Sequence, residues 1–234
     1  MVERRGARSA QVKEFAPGGK GERRRREILD TAAKVISKVG YANASLEDIA
    51  AANKISKSAL YHYFRSRDEI LFAMHEVLAN DFLDHAAEVS ESGASATEML
   101  RAAIGKMVRA NESIPGYVQA FFEHYHDLSP AFRRKAGARS AEYTRFIEGI
   151  VELGIANGEF RPMPVRATAL AIFGMCNWVN KWYRPSGELS GAAISEIWTD
   201  LALRGLRSEA VPHRTDREDK PPATSGEQVT ARPA

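Results

Sequence analysis

The helical spacing of its apolar residues constrains this chain more than any other feature. Across the 234 residues, apolar side chains recur three and four positions apart, and no stretch alternates apolar and polar residues as a strand would. The first such segment begins near Arg23 and ends at Gly40, a typical helix stop. Its apolar face consists of Ile28, Leu29, Ala32, Val35, Ile36 and Val39. The pattern predicts an all-α protein.

A serine opens each of the next three predicted segments, 45–52, 56–63 and 66–89. Serine is a favoured N-cap because its hydroxyl accepts an N–H that the helix leaves unpaired. In the third segment Glu69 follows Ser66 by three residues, which is the pattern of a capping box. Five further helices are predicted, with Gly and Pro at the breaks between them: 96–111, 115–126, 130–156, 165–183 and 191–206.

Charge is distributed unevenly along the chain. Residues 1–67 hold fifteen Lys and Arg against seven Asp and Glu, whereas the rest holds eighteen against twenty-three. A basic front on an acidic body indicates that one end meets a polyanion such as nucleic acid, although a solvated basic tail is the alternative. We expect four parts: a flexible basic arm (1–21), a DNA-binding domain (22–73), a larger helical domain (74–210) and a disordered polar tail (211–234).

The cysteine content and the length of the apolar segments indicate in which cellular compartment the protein lies. A single cysteine, Cys176, forms no internal disulfide and fits a reducing compartment. The longest apolar run, 167–179, falls short of the roughly 18–20 residues that cross a bilayer. The N-terminus lacks the apolar region of a signal peptide. We expect a cytoplasmic protein with no membrane partner.

Enzyme and metal-site patterns are not found. The chain has no Gly-x-Ser-x-Gly elbow, no glycine-rich phosphate loop and no His-Glu-x-x-His helix. One cluster has metal-ligand chemistry: Glu123, His124, His126 and Asp127. On a helix, however, His124 and His126 point about 200° apart, so they do not share one ion. We expect no catalytic residues, no metal and no cofactor.

Two short helices joined by a tight turn, with a third helix before them, form a helix-turn-helix. The second helix of such a unit enters the major groove. Here Leu60 and Phe64, four residues apart, are predicted to face the core. The outward residues then include Lys57, Ser58, Tyr61 and His62, and small Ala59 permits close approach to a base. The alternative is that Tyr61 and Tyr63 are core aromatics.

Residues 24–73 resemble the DNA-binding domain of the TetR (tetracycline-repressor-like) family, above all in SLEDIAAANKISKSALYHYFRSRDEIL. The family's Tyr-x-x-Phe run is matched by Tyr61-His62-Tyr63-Phe64, and its Ser/Asn-Lys/Arg-x-x-Leu/Ile helix start by Ser66-Arg67-Asp68-Glu69-Ile70. One departure is Asn53-Lys54-Ile55, where the family usually has Ala-Gly-Val. The turn is retained if Lys54 adopts a left-handed backbone.

The resemblance implies a homodimer that binds double-stranded, palindromic operator DNA and carries a small-molecule effector in its C-terminal domain. Residues of the second helix would read or position DNA, while the flanking basic and hydroxyl residues would bind phosphates. The candidate DNA-binding residues are Arg23, Arg24, Arg25, Arg26, Ser45, Ser56, Lys57, Ser58, Ala59, Tyr61, His62, Tyr63 and Arg67.

Residues 174–190 are similar to the penultimate-helix signature of one TetR subgroup, an Asn-Trp pair followed by Trp-Tyr-Arg-Pro-x-Gly-x-Leu-Ser. Members of that subgroup often regulate fatty-acid or steroid catabolism and respond to acyl-CoA thioesters. An apolar pocket would be lined by Phe121, Phe122, Tyr125, Phe146, Met175, Trp178 and Trp182. The phosphates would meet Lys181, Arg184 or the run Arg133-Arg134-Lys135 at its mouth.

Three alternatives remain open at this stage. The same aromatics at helical spacing are also typical of a core or a dimer interface, and the last two helices are the natural dimer surface. The effector of a regulator is alternatively a free hydrophobic compound held in a multidrug-type pocket. A helical small-molecule-binding enzyme with an incidental basic front is the third alternative.

Overall fold

The computed structural model describes residues 18–207, which form nine α-helices, one 3₁₀ turn and an isolated bridge between Phe160 and Arg207. The helices are α1 (Lys20–Val39), α2 (Leu46–Ala52), α3 (Lys57–Tyr63), α4 (Arg67–Glu91), α5 (Ala96–Ser113), α6 (Pro115–Glu123), α7 (Pro130–Ala156), α8 (Val165–Trp182) and α9 (Gly191–Leu206). The all-α prediction is confirmed for this part of the chain.

Two predicted boundaries are wrong. The helix predicted over 115–126 ends at Glu123, because His124 leaves helical geometry and Tyr125–Asp127 forms the 3₁₀ turn. Helix α1 begins at Lys20, inside the segment predicted as a flexible arm. The remainder of that arm up to residue 17, and the predicted tail 211–234, lie outside the described residues.

Serine N-caps are confirmed at the start of α2, α3 and α4. Ser45 and Asp48 form a complete capping box, with Asp48 N–H donating to Ser45 Oγ and Ser45 N–H donating to the Asp48 carboxylate, both at 3.0 Å. The box predicted for α4 is only half formed. Ser66 accepts from Glu69 N–H at 3.0 Å, but the Glu69 carboxylate accepts from Arg65 N–H at 2.8 Å.

A first hydrophobic core joins α1–α4 to α6 and the start of α7. Leu60 and Phe64 are fully buried in it, as predicted. Phe72 of α4 stacks on Phe132 of α7 with ring centroids 4.4 Å apart. A second core lies among α5, α7, α8 and α9, with α5 packed along α9. The helix-turn-helix is therefore part of a core that continues into the larger domain.

Helix α6 lies directly against α1. A Cβ at Gly116 would come within 2.9 Å of the Ala33 Cβ, so the two helices approach as closely as glycine allows. Next to this contact, Tyr117 Oη donates to Asp30 Oδ1 at 2.5 Å. The first helix of the helix-turn-helix unit is thus in direct contact with α6.

The turn between α2 and α3 contains the one non-glycine residue with positive φ in the described part of the chain, Lys54 at 55°. Lys54 therefore adopts the left-handed backbone that retains the turn, at the position where the family usually has glycine. Left-handed geometry is strained for a residue with a Cβ.

Replacing Lys54 by glycine should raise the free energy of unfolding by roughly 0.5–1 kcal/mol, since the strain relieved exceeds the extra backbone entropy of glycine. Urea denaturation measures the change. The control is the reverse change at another turn, Gly158→Ala. At Gly158 φ is 74°, and an added Cβ meets nothing within 4 Å. That control should lose a similar amount, and a destabilised Lys54→Gly variant would contradict the strain at this turn.

Candidate nucleic-acid interface and effector site

Helix α3 presents one polar face to solvent. Lys57, Ser58, Tyr61 and His62 are exposed on it, with Tyr61 45% exposed, and Ala59 is half-buried beside them. The buried partners of this face, Leu60 and Phe64, anchor the opposite side. The residues predicted to read DNA therefore lie together on a surface that a major groove can approach.

The start of α3 is fixed by local contacts. Ser56 Oγ accepts from Ala59 N–H at 3.1 Å and lies 3.0 Å from Ser58 Oγ. Lys57 is ion-paired with Glu47 of α2, and this hydrogen bond raises the pKa of Lys57 and lowers that of Glu47. The pair holds the Lys57 ammonium on the exposed face, where a DNA phosphate would compete with Glu47 for it.

The four consecutive arginines of α1 point in different directions. Arg24 donates to Asn53 O at 3.1 Å and so holds the turn between α2 and α3. The Arg25 guanidinium lies 4.7 Å from the centroid of the Phe64 ring, and burial lowers its pKa. Arg26 lies over Tyr117 at 5.2 Å. Arg23 is exposed. Phosphate binding by Arg24 and Arg25 thus competes with structural contacts, whereas Arg23 faces solvent.

The other candidate phosphate contacts are also engaged locally. Arg67 Nη1 donates to Ala42 O and Ala44 O, both at 3.0 Å, and its guanidinium lies 4.5 Å from the Tyr41 ring centroid. Ser45 takes part in the α2 capping box. Tyr63 is half-buried against the first core. These residues shape the loop before α2 and the end of α3, and DNA contact remains a prediction for each.

The aromatic residues predicted to line one effector pocket do not lie together. Phe121 and Phe122 do line a small cavity of about 20 Å³ between α4, α6, α7 and α8, which we call the Phe121 cavity. Its other lining residues are Leu78, Ala79, Phe82, Arg139, Ser140, Tyr143 and Phe173.

The remaining predicted pocket residues lie elsewhere. Tyr125 packs against the first core and Phe146 against the second. Met175 lines a separate surface groove between α8 and α9. Trp178 is 66% exposed and Trp182 is 40% exposed, so both lie on the outside of α8. The prediction of one pocket is wrong because aromatic residues at helical spacing do not reveal which face of a helix is covered.

An exposed apolar stripe runs along α8 and α9. Its members are Leu170, Trp178 and Trp182 on α8 and Ile197 and Leu201 on α9. On each helix they lie four or eight residues apart, so they share one face. Trp182 meets Trp198 of α9 edge-on at 6.3 Å, which links the two helices. We call this surface the apolar stripe.

Lys181 and Arg184 line a surface groove of about 380 Å³, here called the Lys181 groove. Lys181 Nζ lies 3.3 Å from Glu123 Oε1, and hydrogen bonds from Gln119 and Lys181 lower the pKa of Glu123. Val118 lines the same groove and packs in a small cluster with Phe121 and Phe122. Val118 therefore connects the lining of the Lys181 groove with that of the Phe121 cavity.

The run Arg133-Arg134-Lys135 lies at the start of α7, away from the Lys181 groove. Arg133 Nη1 donates to His126 O at 3.4 Å, and Lys135 Nζ lies 5.9 Å from the Phe72 ring centroid. Of the candidate phosphate ligands, only Lys181 and Arg184 border the groove. Phe82, Tyr143 and Phe173 of the cavity were not among the predicted pocket residues. Phe82 follows Leu78 by four residues, and this spacing places the two on one helix face.

His75 of α4 is buried beside Phe121, with the ring centroids 4.9 Å apart. Burial lowers its pKa from 6.5 to about 4. Because the folded-state pKa lies below the ordinary value, the unfolded chain takes up the proton first as the pH falls. The stabilising effect of neutral His75 is therefore complete above about pH 6.5 and is lost between pH 6.5 and about 4.

The pH dependence of stability should differ between the wild type and His75→Phe. From pH 7 to pH 4 the wild type should lose roughly 3 kcal/mol more than the variant, because one pKa unit corresponds to about 1.4 kcal/mol. Urea denaturation at several pH values measures this difference, and comparison with the variant removes the contribution of the carboxylates. Parallel pH profiles would contradict a buried neutral His75.

None of the helices in residues 18–207 is long and apolar enough to cross a membrane. Within the same described residues, no three His, Cys, Asp or Glu side chains come together in a group that could hold a metal ion. His124 instead pairs with Asp127, with 2.9 Å between Nδ1 and Oδ2.

Comparison with known proteins relates both halves of the chain to one group. Residues 28–74 match the family described as "Bacterial regulatory proteins, tetR family". Residues 93–206 match the family described as "Tetracyclin repressor-like, C-terminal domain".

Three individual proteins are similar over nearly their whole length. The HTH-type transcriptional repressor KstR2 of Rhodococcus jostii strain RHA1 is 26% identical over 192 residues, covering 81% of this chain and 93% of the relative. The TetR family transcriptional regulator PfmR of Thermus thermophilus is 30% identical, with a TM-score of 0.72 over 76% of this chain and 97% of that structure. AibR, solved with isovaleryl coenzyme A and operator DNA, is 29% identical, with a TM-score of 0.69 over the same shares.

Proposed function

Because this chain belongs to the TetR family of transcriptional regulators, we propose that it is a homodimeric repressor that binds a palindromic operator and leaves it when a hydrophobic effector binds. An acyl-CoA thioester of lipid or steroid catabolism is the proposed effector. The family consists of DNA-binding regulators, so the hypothesis of an enzyme is rejected. The observation that carries the proposal is the polar face of α3, exposed opposite two fully buried anchors.

Operator reading is assigned to the polar face of α3. Lys57, Ser58, Tyr61 and His62 supply donors and acceptors, and Ala59 leaves space for a base edge. Exposed Arg23 adds a phosphate contact from α1. In a dimer the two α3 helices must lie about 34–36 Å apart to enter successive major grooves.

Dimerisation is assigned to the apolar stripe. Two tryptophans and three aliphatic residues are exposed on these two helices, and the Trp182–Trp198 contact joins the helices. Exposed large apolar residues grouped in this way mark a protein–protein contact more often than a free surface. A two-fold axis beside α8 and α9 would bring the stripe of one protomer against that of its partner, since an isologous interface uses the same patch twice.

Effector binding is assigned to the Phe121 cavity. At about 20 Å³ it has room for no acyl group, so a ligand must push apart the aromatic side chains of α4, α6, α7 and α8. Helix α6 is held on α1 by the Gly116–Ala33 contact and the Tyr117–Asp30 hydrogen bond. Entry of a ligand would therefore move α1 and alter the separation of the two α3 helices.

A coenzyme A thioester fits the two neighbouring sites. The Phe121 cavity suits the acyl chain, and the Lys181 groove on the other side of Val118 offers Lys181 and Arg184 to phosphates. The similarity to AibR, which was solved with isovaleryl coenzyme A and operator DNA, supports this class of effector. A free hydrophobic compound is the competing effector and would use the cavity without the groove.

The regulator function is tested by fluorescence anisotropy with a labelled DNA fragment from upstream of the protein's own gene and a shuffled fragment of equal length. We expect the upstream fragment to bind at least about 1000-fold more tightly at physiological salt. Equal affinity for the two fragments would overturn the assignment for that site, and no binding to any palindrome selected from random DNA would overturn the function.

A further inference from the structure

We propose that Tyr143 is a specificity-determining residue of the effector site, and that its hydroxyl donates a hydrogen bond to a neutral carbonyl oxygen of the ligand. The inference rests on the proposed function, because it assigns the Phe121 cavity to the effector. It adds a requirement that a purely apolar cavity does not impose, namely a carbonyl group on the buried part of the ligand.

Tyr143 lies in the middle of α7 and lines the Phe121 cavity. Its side chain is only 3% exposed. Its ring is surrounded by Phe82, Phe146 and Phe173, with centroid distances of 5.1, 5.6 and 6.3 Å. Within residues 18–207, the buried hydroxyl has no hydrogen-bond partner. Such an arrangement is unfavourable, because a buried polar group normally keeps at least one partner.

The other polar side chains around the cavity are already paired. Ser140 Oγ donates to Ala136 O at 3.1 Å. Arg139 forms an ion pair with Glu142 at 3.1 Å and a hydrogen bond with Asn80. Among the described lining residues, the Tyr143 hydroxyl is therefore the buried polar group without a protein partner, and it becomes accessible when a ligand parts the rings that cover it.

The surroundings select a neutral acceptor. Burial raises the pKa of Tyr143 well above its ordinary value, so the phenol stays protonated and donates. A carboxylate would enter the cavity without an unpaired cation to neutralise it, which is strongly unfavourable. A water molecule is a poor occupant as well, since buried waters usually make two to four hydrogen bonds and this site offers one. A thioester or ketone carbonyl needs only one donor.

The test compares Tyr143→Phe with the wild type, using octanoyl-CoA and its thioether analogue S-octyl-CoA, which lacks the carbonyl. In the wild type the thioester should release DNA at about tenfold lower concentration than the thioether, the difference expected for one hydrogen bond. In Tyr143→Phe the two probes should act alike.

Thermal unfolding supplies the matched control. Tyr143→Phe should unfold at the wild-type temperature or above it, because the lost hydroxyl has no protein partner in the described residues. Tyr117→Phe removes a hydroxyl bonded to Asp30 and should unfold at a lower temperature. If Tyr143→Phe is destabilised like Tyr117→Phe, or keeps the thioester preference, the role of Tyr143 is overturned.

A second pair of probes separates this inference from the choice of coenzyme A. The shift in unfolding temperature caused by 2-undecanone and by n-undecane should differ in the wild type and coincide in Tyr143→Phe. If the ketone and the alkane differ in this way while neither CoA compound has an effect, the role of Tyr143 is retained and the thioester effector is rejected. If neither the CoA pair nor the ketone pair binds, a carbonyl ligand is overturned, whereas specific operator binding would leave the regulator function standing.

Discussion

Replacing Ile197 and Leu201 together by glutamate should convert the protein to a monomer and lower its operator affinity by more than about 100-fold. Both residues belong to the apolar stripe of α9. In a two-fold interface the double variant buries four carboxylates without partners, and each uncompensated buried charge costs several kcal/mol. A monomer retains the contacts of one α3 helix only, so it loses the affinity gained from the second half-site.

Sedimentation velocity measures the oligomeric state, and anisotropy with operator DNA measures the affinity. Because both positions are half-exposed in the protomer, circular dichroism should show an intact helical fold. Leu153→Glu is the control, since it places a charge at an exposed apolar position on α7, outside the apolar stripe. A double variant that remains dimeric would place the interface elsewhere on the molecule.

Replacing Tyr61 by alanine should lower operator affinity about 100-fold while changing affinity for random DNA by less than about threefold. Each base contact contributes roughly 1–1.5 kcal/mol, and the proposed dimer would present Tyr61 twice. The side chain is 45% exposed, so its loss leaves the buried anchors Leu60 and Phe64 in place.

Arg23→Ala provides the comparison for Tyr61. An exposed cation that contacts phosphate should weaken binding to operator and random DNA alike and flatten the dependence of affinity on salt. Equal losses on both DNAs for Tyr61→Ala would remove this residue from the specificity set, and a sequence-selective loss for Arg23→Ala would assign it a base contact.

The helices were predictable because their signals are local. Ser45, Ser56 and Ser66 mark three helix starts through their own hydroxyls, and the structure confirms each cap. The end of α6 was not predicted. The helix stops at His124, whose ring lies 5.4 Å from that of Tyr41 and whose Nδ1 lies 2.9 Å from Asp127 Oδ2, and the apolar spacing revealed neither contact. Likewise, the position of Glu69 three residues after Ser66 did not reveal that its carboxylate would accept a hydrogen bond from Arg65 N–H instead of Ser66 N–H.

The candidate sites were predictable only in part. The inward and outward faces of α3 followed from the spacing of Leu60 and Phe64. The members of the effector pocket did not follow from spacing, because Phe121 and Trp178 look equivalent in sequence although Phe121 lines a small cavity and Trp178 is two-thirds exposed. Which aromatic face is covered depends on how α7 and α8 pack. The divergence of the four arginines, in contrast, follows from the 100° rotation between successive helix residues.

We expect a coenzyme A thioester to release this regulator from DNA, and a titration of the preformed protein–operator complex measures that release. Octanoyl-CoA, palmitoyl-CoA and a steroid-derived acyl-CoA are added in parallel with the free acids and with coenzyme A alone, and the bound fraction is read by anisotropy. We predict that at least one thioester dissociates the complex, while its free acid and coenzyme A do not. A specific complex that survives every thioester but dissociates with an uncharged hydrophobic compound would overturn the thioester effector.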